Sequence, residues 1–296
     1  MIQATIIADS ISPQGVRLTT YELIYPRIIH AEVMTHRVFS RNAQSSRAVP
    51  VTKALGLVDE YYTPVVWGSN KAGMSAGEEL SKDSCNAVAY YWHSAVKSCK
   101  DAAFKMAEAG LHKQWANRCL EWFSPIKVIV TATEWENFFW LRDDPEAAQP
   151  EIVELARKMK EARDASNPTL LKPGQWHLPY ITYLVGWDQY VVGEEVVDLE
   201  TAKKVSAACC AAVSYRNNPS IEKCLEIYDK LFTGPKPHLS PVEHQATPID
   251  DEDEDSYYNL PGYSYNWQKG ITHCDRDGEF WSGNLREWIQ LRQLIV

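Results

Sequence analysis

The sequence predicts an α/β or α+β protein. Three observations carry that class: strand-type stretches interleaved with long amphipathic helices, no internal repeat, and no Gly-x-Gly-x-x-Gly opening of a dinucleotide-binding unit. A length of 296 residues suits one or two domains, and a chain of this size builds a full core without a disulfide or metal staple. Hydrophobic residues at 45% and charged residues at 23% exclude disordered, collagen-like and coiled-coil classes. No window approaches the ~18 consecutive apolar residues of a membrane span. The opening MIQATIIADS lacks the basic flank and long apolar core of a signal peptide. Seven cysteines, with no Cys-x-x-Cys pair, oppose a disulfide framework or zinc ribbon. A cytoplasmic protein is expected.

The elements follow in order. Ala4–Ala8 and Val16–Tyr21 alternate as short strands. Pro26 opens Arg27–Thr35, which has helical spacing at Ile28, Ala31 and Met34. Ser40–Pro50, rich in Ser, Asn, Gln and Arg, reads as a loop, and Gly68–Gly73 as a turn. Ser75–Gly110 reads as a long amphipathic helix capped by Ser75, with Glu78 three residues on and Gly110 as the stop. Trp122–Val130 has strand-type β-branched density, and Pro150–Ser166 is a helix with Ile152, Val153, Leu155, Ala156 and Met159 on its apolar face. Leu178–Val185 reads as a strand; Asp198–Ser214 and Ser220–Phe232 read as helices. From about 234 the chain is Pro- and Gly-rich, so one domain over 1–296 with an irregular C-terminal extension is expected. Trp267, Trp281 and Trp288 should pack that extension against the core.

Net charge is −9, which opposes a duplex nucleic-acid partner. The charge is unevenly spread. Between Arg27 and Lys53 stand Arg27, Arg37, Arg41, Arg47 and Lys53 against Glu32 alone, so this segment is +4 and the remainder −13. A small anion is drawn there, whereas a long polyanion is repelled elsewhere. The acidic run over 249–255 reads as a solvated loop.

Chemistry concentrates in Thr35-His-Arg-Val-Phe-Ser-Arg-Asn-Ala-Gln-Ser-Ser-Arg47. Guanidinium groups bind phosphate through paired charged hydrogen bonds, and hydroxyls with loop N–H groups complete such a cradle. From the residues alone, a phosphate or nucleotide site and a polar surface loop are equally open.

The order of residues resembles the hallmark of the flavin-dependent thymidylate synthases, R-H-R-x-x-S-x-N-x-x-S-x-R. His36, Arg37, Ser40, Asn42, Ser45 and Arg47 match, and Thr35 replaces the first Arg. A second block supports it: Gly110–Arg118, then Asn137-Phe-Phe-Trp-Leu-Arg142, then Ala148-Gln-Pro-Glu-Ile152. In a third, His238-Leu-Ser-Pro-Val-Glu-His244 is similar to the family's Ser-x-x-Glu-His segment, placed here after the Arg-rich motif as in a rearranged, bacteriophage-like branch. Gly174–Tyr180 fits the same branch. A zinc reading of His238 and His244 fails on their six-residue spacing and on Pro241.

The resemblance implies a mixed sheet with long flanking helices. It implies FAD as cofactor, methylene-tetrahydrofolate and NADPH as co-substrates, and conversion of dUMP to dTMP. Flavin contacts are implied for His36, Arg37, Ser40, Asn42, Asn137 and His244. Nucleotide contacts are implied for Glu32, Thr35, Gln44, Ser45, Ser46, Arg47 and Arg118, the last standing in for an Arg where Asn117 occurs. Arg142 is implied as the catalytic group that pairs with the uracil ring and stabilises its negative charge. A homotetramer with shared active sites is implied, with no nucleic-acid or membrane partner and no metal. Two rival readings are a pyrimidine hydroxymethylase on the same scaffold and a nucleotide-binding protein without catalysis.

Overall fold

The computed structural model describes residues 2–60, 62–73, 75–214, 220–232, 234–250 and 267–295. Of the acidic run, 251–255 lies outside the described residues. Strands β1 (Gln3–Ile11) and β2 (Arg17–Pro26) form an antiparallel hairpin, whose turn contains Gly15 at φ +82°. A short 3-10 turn leads into α1 (His30–Val33), and β3 (Ser40–Ala43) follows. Helices α2 (Val51–Leu57), α3 (Lys82–Glu108) and α4 (Lys113–Ala116) precede β4 (Pro125–Ala132). Then come α5 (Glu136–Arg142), α6 (Pro150–Ala165) and the two-residue β5 (Thr169–Leu170). The central sheet runs β3-β4-β2-β1-β5, antiparallel except for the β1–β5 pair. This is the expected α/β class, a mixed sheet with long flanking helices.

Alternation along the strands gives the sheet two buried faces. Tyr21, Leu23, Tyr25, Val128, Val130 and Ala132 on one face pack under Ile152, Leu155, Ala156 and Met159 of α6, joined by Trp135 and Phe138. The opposite face presents Thr20, Ile129 and Thr131. Ile129 packs with Cys210 of α7 (Leu199–Ala211), and the two threonines meet histidines from the segments near 177 and 244. Ahead of α7 lies a meander of β6 (Thr182–Leu184), β7 (Gln189–Val192) and β8 (Glu195–Val197); α8 (Ile221–Phe232) packs against α7.

Several elements depart from the sequence reading. The expected loop at Ser40–Pro50 begins with β3, because Ser40 and Asn42 find buried partners despite being polar. The long helix starts at Lys82, capped by Ser81, whose side chain accepts from Ser84 N. Residues 67–69 and 77–80 instead pair as a ribbon: Ser69 N donates to Glu78 O at 2.8 Å and Leu80 N to Trp67 O at 2.8 Å. Glycine permits that approach, since a Cβ on Gly68 would stand 2.4 Å from Ala76 Cβ. Ser75 and Glu78 are therefore not the helix start. Trp122 and Phe123 belong to a 3-10 turn, and Pro125 opens the strand. Pro179 and Tyr180, the latter at φ 68°, confine the expected 178–185 strand to β6.

The C-terminal stretch carries short strands that its composition hides: β9 (Ala246–Pro248), β10 (His273–Cys274), β11 (Phe280–Ser282), β12 (Leu285–Arg286) and β13 (Trp288–Gln290), then α9 (Arg292–Ile295). β13 pairs antiparallel with β9, and Trp288 Nε1 donates to Val16 O at 3.0 Å beside the first hairpin. Trp288 is fully buried, as expected of a core anchor.

Candidate active site

Arg142 sits in the last turn of α5, aimed at the α1–β3 connection. Its Nε donates to His36 Nε2 at 3.0 Å, its Nη2 to Thr35 Oγ1 at 3.2 Å, and its Nη1 stands 3.6 Å from Glu32 Oε2. Four of the expected site residues thus meet at one corner. Because a guanidinium only donates, His36 must be neutral with its proton on Nδ1. Burial, then the charges of Arg142 and Arg41, hold its pKa below the ordinary histidine value, which agrees. The ring stacks on Phe39 with centroids 5.7 Å apart and meets Phe138 edge-on at 4.9 Å. Thr35 donates to Glu32 O at 2.6 Å, so the residue replacing an arginine is itself locked in place.

Arg41 braces this corner from β3, its Nη1 donating to Met34 O at 2.6 Å and His36 O at 3.3 Å. In the sequence Arg41 counts only toward the positive charge of the 27–53 segment. On β3 it lies between Ser40 and Asn42, so strand alternation turns it to the other face, which a segment that reads as loop does not reveal.

The second half of the motif forms an arm leaving β3. Gln44 is tied to β4 twice: its backbone N donates to Lys127 O at 2.8 Å, and its Oε1 accepts from Lys127 N at 3.3 Å. Ser45 N donates to Ser214 Oγ at 2.9 Å, just beyond α7. Asn117 is buried and holds the arm's far end, Nδ2 donating to Ser46 O at 2.8 Å and Val49 O at 2.9 Å. The Ser46 hydroxyl is buried behind the arm. Arg37 and Arg47 are exposed and form no ion pair among the described residues. Arg118 is exposed too, but its Nη1 donates to Glu121 at 2.9 Å. Asn137 lies exposed in the first turn of α5.

Ser40, Asn42 and His244 lie on the opposite face of the sheet from the Arg142 corner. Ser40 Oγ bonds Asn284 Oδ1 at 3.2 Å and accepts from Gln290 Nε2 at 3.3 Å. Asn42 Nδ2 donates to Cys210 O at 2.9 Å. His244 is fully buried, with Nδ1 2.8 Å from Thr131 Oγ1, and burial drives its pKa down to about 3. These three fix β3 and the C-terminal segment to the sheet. Asn284, Gln290 and Ser214, which grip the motif from far along the chain, left no local mark in the sequence.

The corner can place a cation against an electron-rich ring, and the arm offers a hydroxyl and an unpaired guanidinium to a phosphate. Residues 12–169 match the family described as thymidylate synthase complementing protein, Thy1, across just over half of the chain. The chain belongs to that family, the flavin-dependent thymidylate synthases. The matched stretch contains the first two sequence blocks and excludes the third. Family membership makes the chain a nucleotide-modifying, thymidylate-synthase-like enzyme. Two similar solved structures are of the UMP/dUMP methylase PolB from Streptomyces cacaoi. The one bound with 5-Br UMP is 17% identical, covers 55% of this chain and 88% of its own, with a TM-score of 0.46. The one bound with 5-Br dUMP is 19% identical, covers 50% and 66%, with a TM-score of 0.40. No curated protein matches the chain. Among the described residues, no helix is long and apolar enough to cross a membrane.

Proposed function

We propose that the chain reductively methylates dUMP to dTMP, with FAD as cofactor and methylene-tetrahydrofolate and NADPH as co-substrates. The observation that carries this reading is the Arg142 corner: residues of the first and second sequence blocks, more than 100 positions apart, converge on one guanidinium. In this reading Arg142 pairs with the uracil ring and stabilises the negative charge that develops as C5 becomes nucleophilic. Glu32, Thr35 and neutral His36 orient it. Ser45 and Arg47 take the nucleotide phosphate, with Gln44 and Ser46 fixing the arm and Arg118 as a further cation.

Flavin, when bound, supplies the redox chemistry of one-carbon transfer. The fit on this chain's side is favourable at the exposed, unpaired Arg37, beside His36, and at exposed Asn137. Ser40 and Asn42 have protein partners that hold β3 from behind, whereas His244 bonds Thr131 through Nδ1 and keeps a buried Nε2 without a protein partner among the described residues. The seven cysteines take no part in this scheme. A homotetramer and a cytoplasmic location complete the proposal. Long α3 leaves Tyr90, Tyr91 and Phe104 exposed and buries only Val96 and Ala103, which favours self-association. Light scattering on the purified chain tests that point; a monomer at micromolar concentration contradicts it.

The direct test of the site is calorimetric titration with dUMP and with deoxyuridine. Arg47→Ala should weaken dUMP binding at least tenfold and leave deoxyuridine binding unchanged. Equal loss for both ligands, or for neither, removes Arg47 from the phosphate site.

A further inference from the structure

Behind the arm that carries Ser45 and Arg47 lies a cavity of about 20 Å³ whose wall includes Arg27, Gln44, Ser46, Leu120 and Asn117. Three of these residues each hold a buried polar atom with no protein partner: Arg27 Nε, Ser46 Oγ and Asn117 Oδ1. Buried polar atoms are nearly always hydrogen-bonded, and these three belong to residues that line one cavity, so a single partner placed there would satisfy all of them. The donor and acceptor count identifies it. Arg27 Nε–H only donates. Asn117 Oδ1 only accepts, and its amide orientation is set by the two bonds Nδ2 donates to Ser46 O and Val49 O. The Ser46 hydroxyl serves in either role.

Size narrows the choice further. A buried water needs roughly 10–15 Å³ and two to four polar partners, both of which this cavity provides. A halide would suit Arg27 and Ser46 but would face the lone pairs of Asn117 Oδ1. A cation would meet the carboxylate of Glu121, which also lines the cavity, but that carboxylate already stands 3.7 Å from Arg27 Nη1, and the guanidinium charge opposes a second cation. We propose that one neutral water occupies this cavity, accepting from Arg27 Nε, donating to Asn117 Oδ1 and bonding Ser46 Oγ, and that it fixes the arm over Ser45–Arg47 from behind. Asn117 is then a positioning residue, holding the arm directly through Nδ2 and through the water by Oδ1. The inference does not depend on which substrate the arm binds.

The test is a crystal structure of the full chain grown with bromide replacing chloride, at a resolution where waters are ordered. A single peak within about 3.2 Å of all three atoms, without anomalous signal, is expected. An anomalous bromide peak, or no density, overturns the proposal. Hydrogen exchange then tests the arm. The amides of Ala48 and Val49 donate to Ser45 O at 3.1 Å and Ser46 O at 3.3 Å. In Ser46→Ala both should exchange several-fold faster while amides of α6 keep their rates. Unchanged exchange at 48 and 49 refutes the water's hold on the arm. Ser46→Thr, which keeps the hydroxyl and fills the cavity with a methyl group, should give the same local loss.

Discussion

At the scale of single residues, the decisive feature is a guanidinium held by groups that can only accept from it. Arg142 spends Nε on His36 and Nη2 on Thr35, and its side chain remains about one-fifth exposed. Replacing it by Ala should cut kcat about 10²–10³-fold, as for loss of one transition-state donor. Folding stability should fall by about 1–3 kcal/mol, because the change leaves the buried His36 Nε2 acceptor without its donor. Single-turnover kinetics with urea titration separates the two effects; near-normal turnover would remove Arg142 from catalysis. The same corner sets a pH dependence. Burial and two neighbouring cations depress the His36 pKa, so the ring stays neutral until the solution falls below the ordinary value of about 6.5. Protonation then removes the acceptor for Arg142 Nε and puts two cations side by side. Activity should fall on the acid side, and His36→Gln, which keeps an acceptor at the Nε2 position, should flatten that limb. An unchanged limb in this variant would assign it to another group.

Among the elements, those built from regular periodicity were legible in the sequence, and those defined by distant partners were not. Helix α6 was readable because its apolar face repeats with helical spacing and Pro150 marks its first turn. Strand β3 was not, since Ser40 and Asn42 look like loop residues until Gln290, Asn284 and Cys210 O are seen to satisfy them. Helix α3 is capped six residues beyond the expected Ser75 for a related reason. Ser75 with Glu78 has the form of a capping box, but the pairing of 67–69 with 77–80 has already claimed the Glu78 carbonyl. Of the site, the motif residues were legible in order and type. The division of that motif between two faces of one sheet was not, because it follows from strand alternation in a segment read as loop. Ser81→Ala should therefore destabilise the protein by about 1 kcal/mol, the usual worth of an N-cap. Ser75→Ala should be neutral within about 0.5 kcal/mol. Chemical denaturation of the two variants decides between the two helix starts, and the reverse order would restore Ser75 as the cap.

On the scale of the whole molecule, a buried polar chain runs across the three inner strands β1, β2 and β4 and ties the segments around 177 and 244 to them. Ser10 Oγ meets His177 Nδ1 at 2.9 Å, His177 Nε2 meets Thr20 Oγ1 at 2.8 Å, Thr20 meets Thr131 at 2.7 Å, and Thr131 meets His244 Nδ1 at 2.8 Å. Burial lowers both histidine pKa values to about 3. Between about pH 6.5 and pH 3 the unfolded chain binds these protons and the folded chain does not, so stability falls as pH falls. The pair should contribute a slope of roughly 2.7 kcal/mol per pH unit below about pH 6, twice the single-group value. Above about pH 7 their contribution should be flat. Urea unfolding at a series of pH values measures this, and stability independent of pH from 7 to 5 would place at least one of these histidines outside the core. The C-terminal segment belongs to the same scaffold: Trp288→Ala, at a fully buried site, should cost about 3–5 kcal/mol.

The function proposed for this molecule rests on transfer and reduction of a one-carbon unit at uracil C5. The most direct measurement is mass analysis of dUMP after incubation with the FAD-loaded protein, methylene-tetrahydrofolate and NADPH. A product heavier than dUMP by one CH2 is the expected result. A gain of CH2O would mean that water rather than hydride captures the transferred carbon, and unaltered dUMP with flavin bound would contradict the proposed reaction outright.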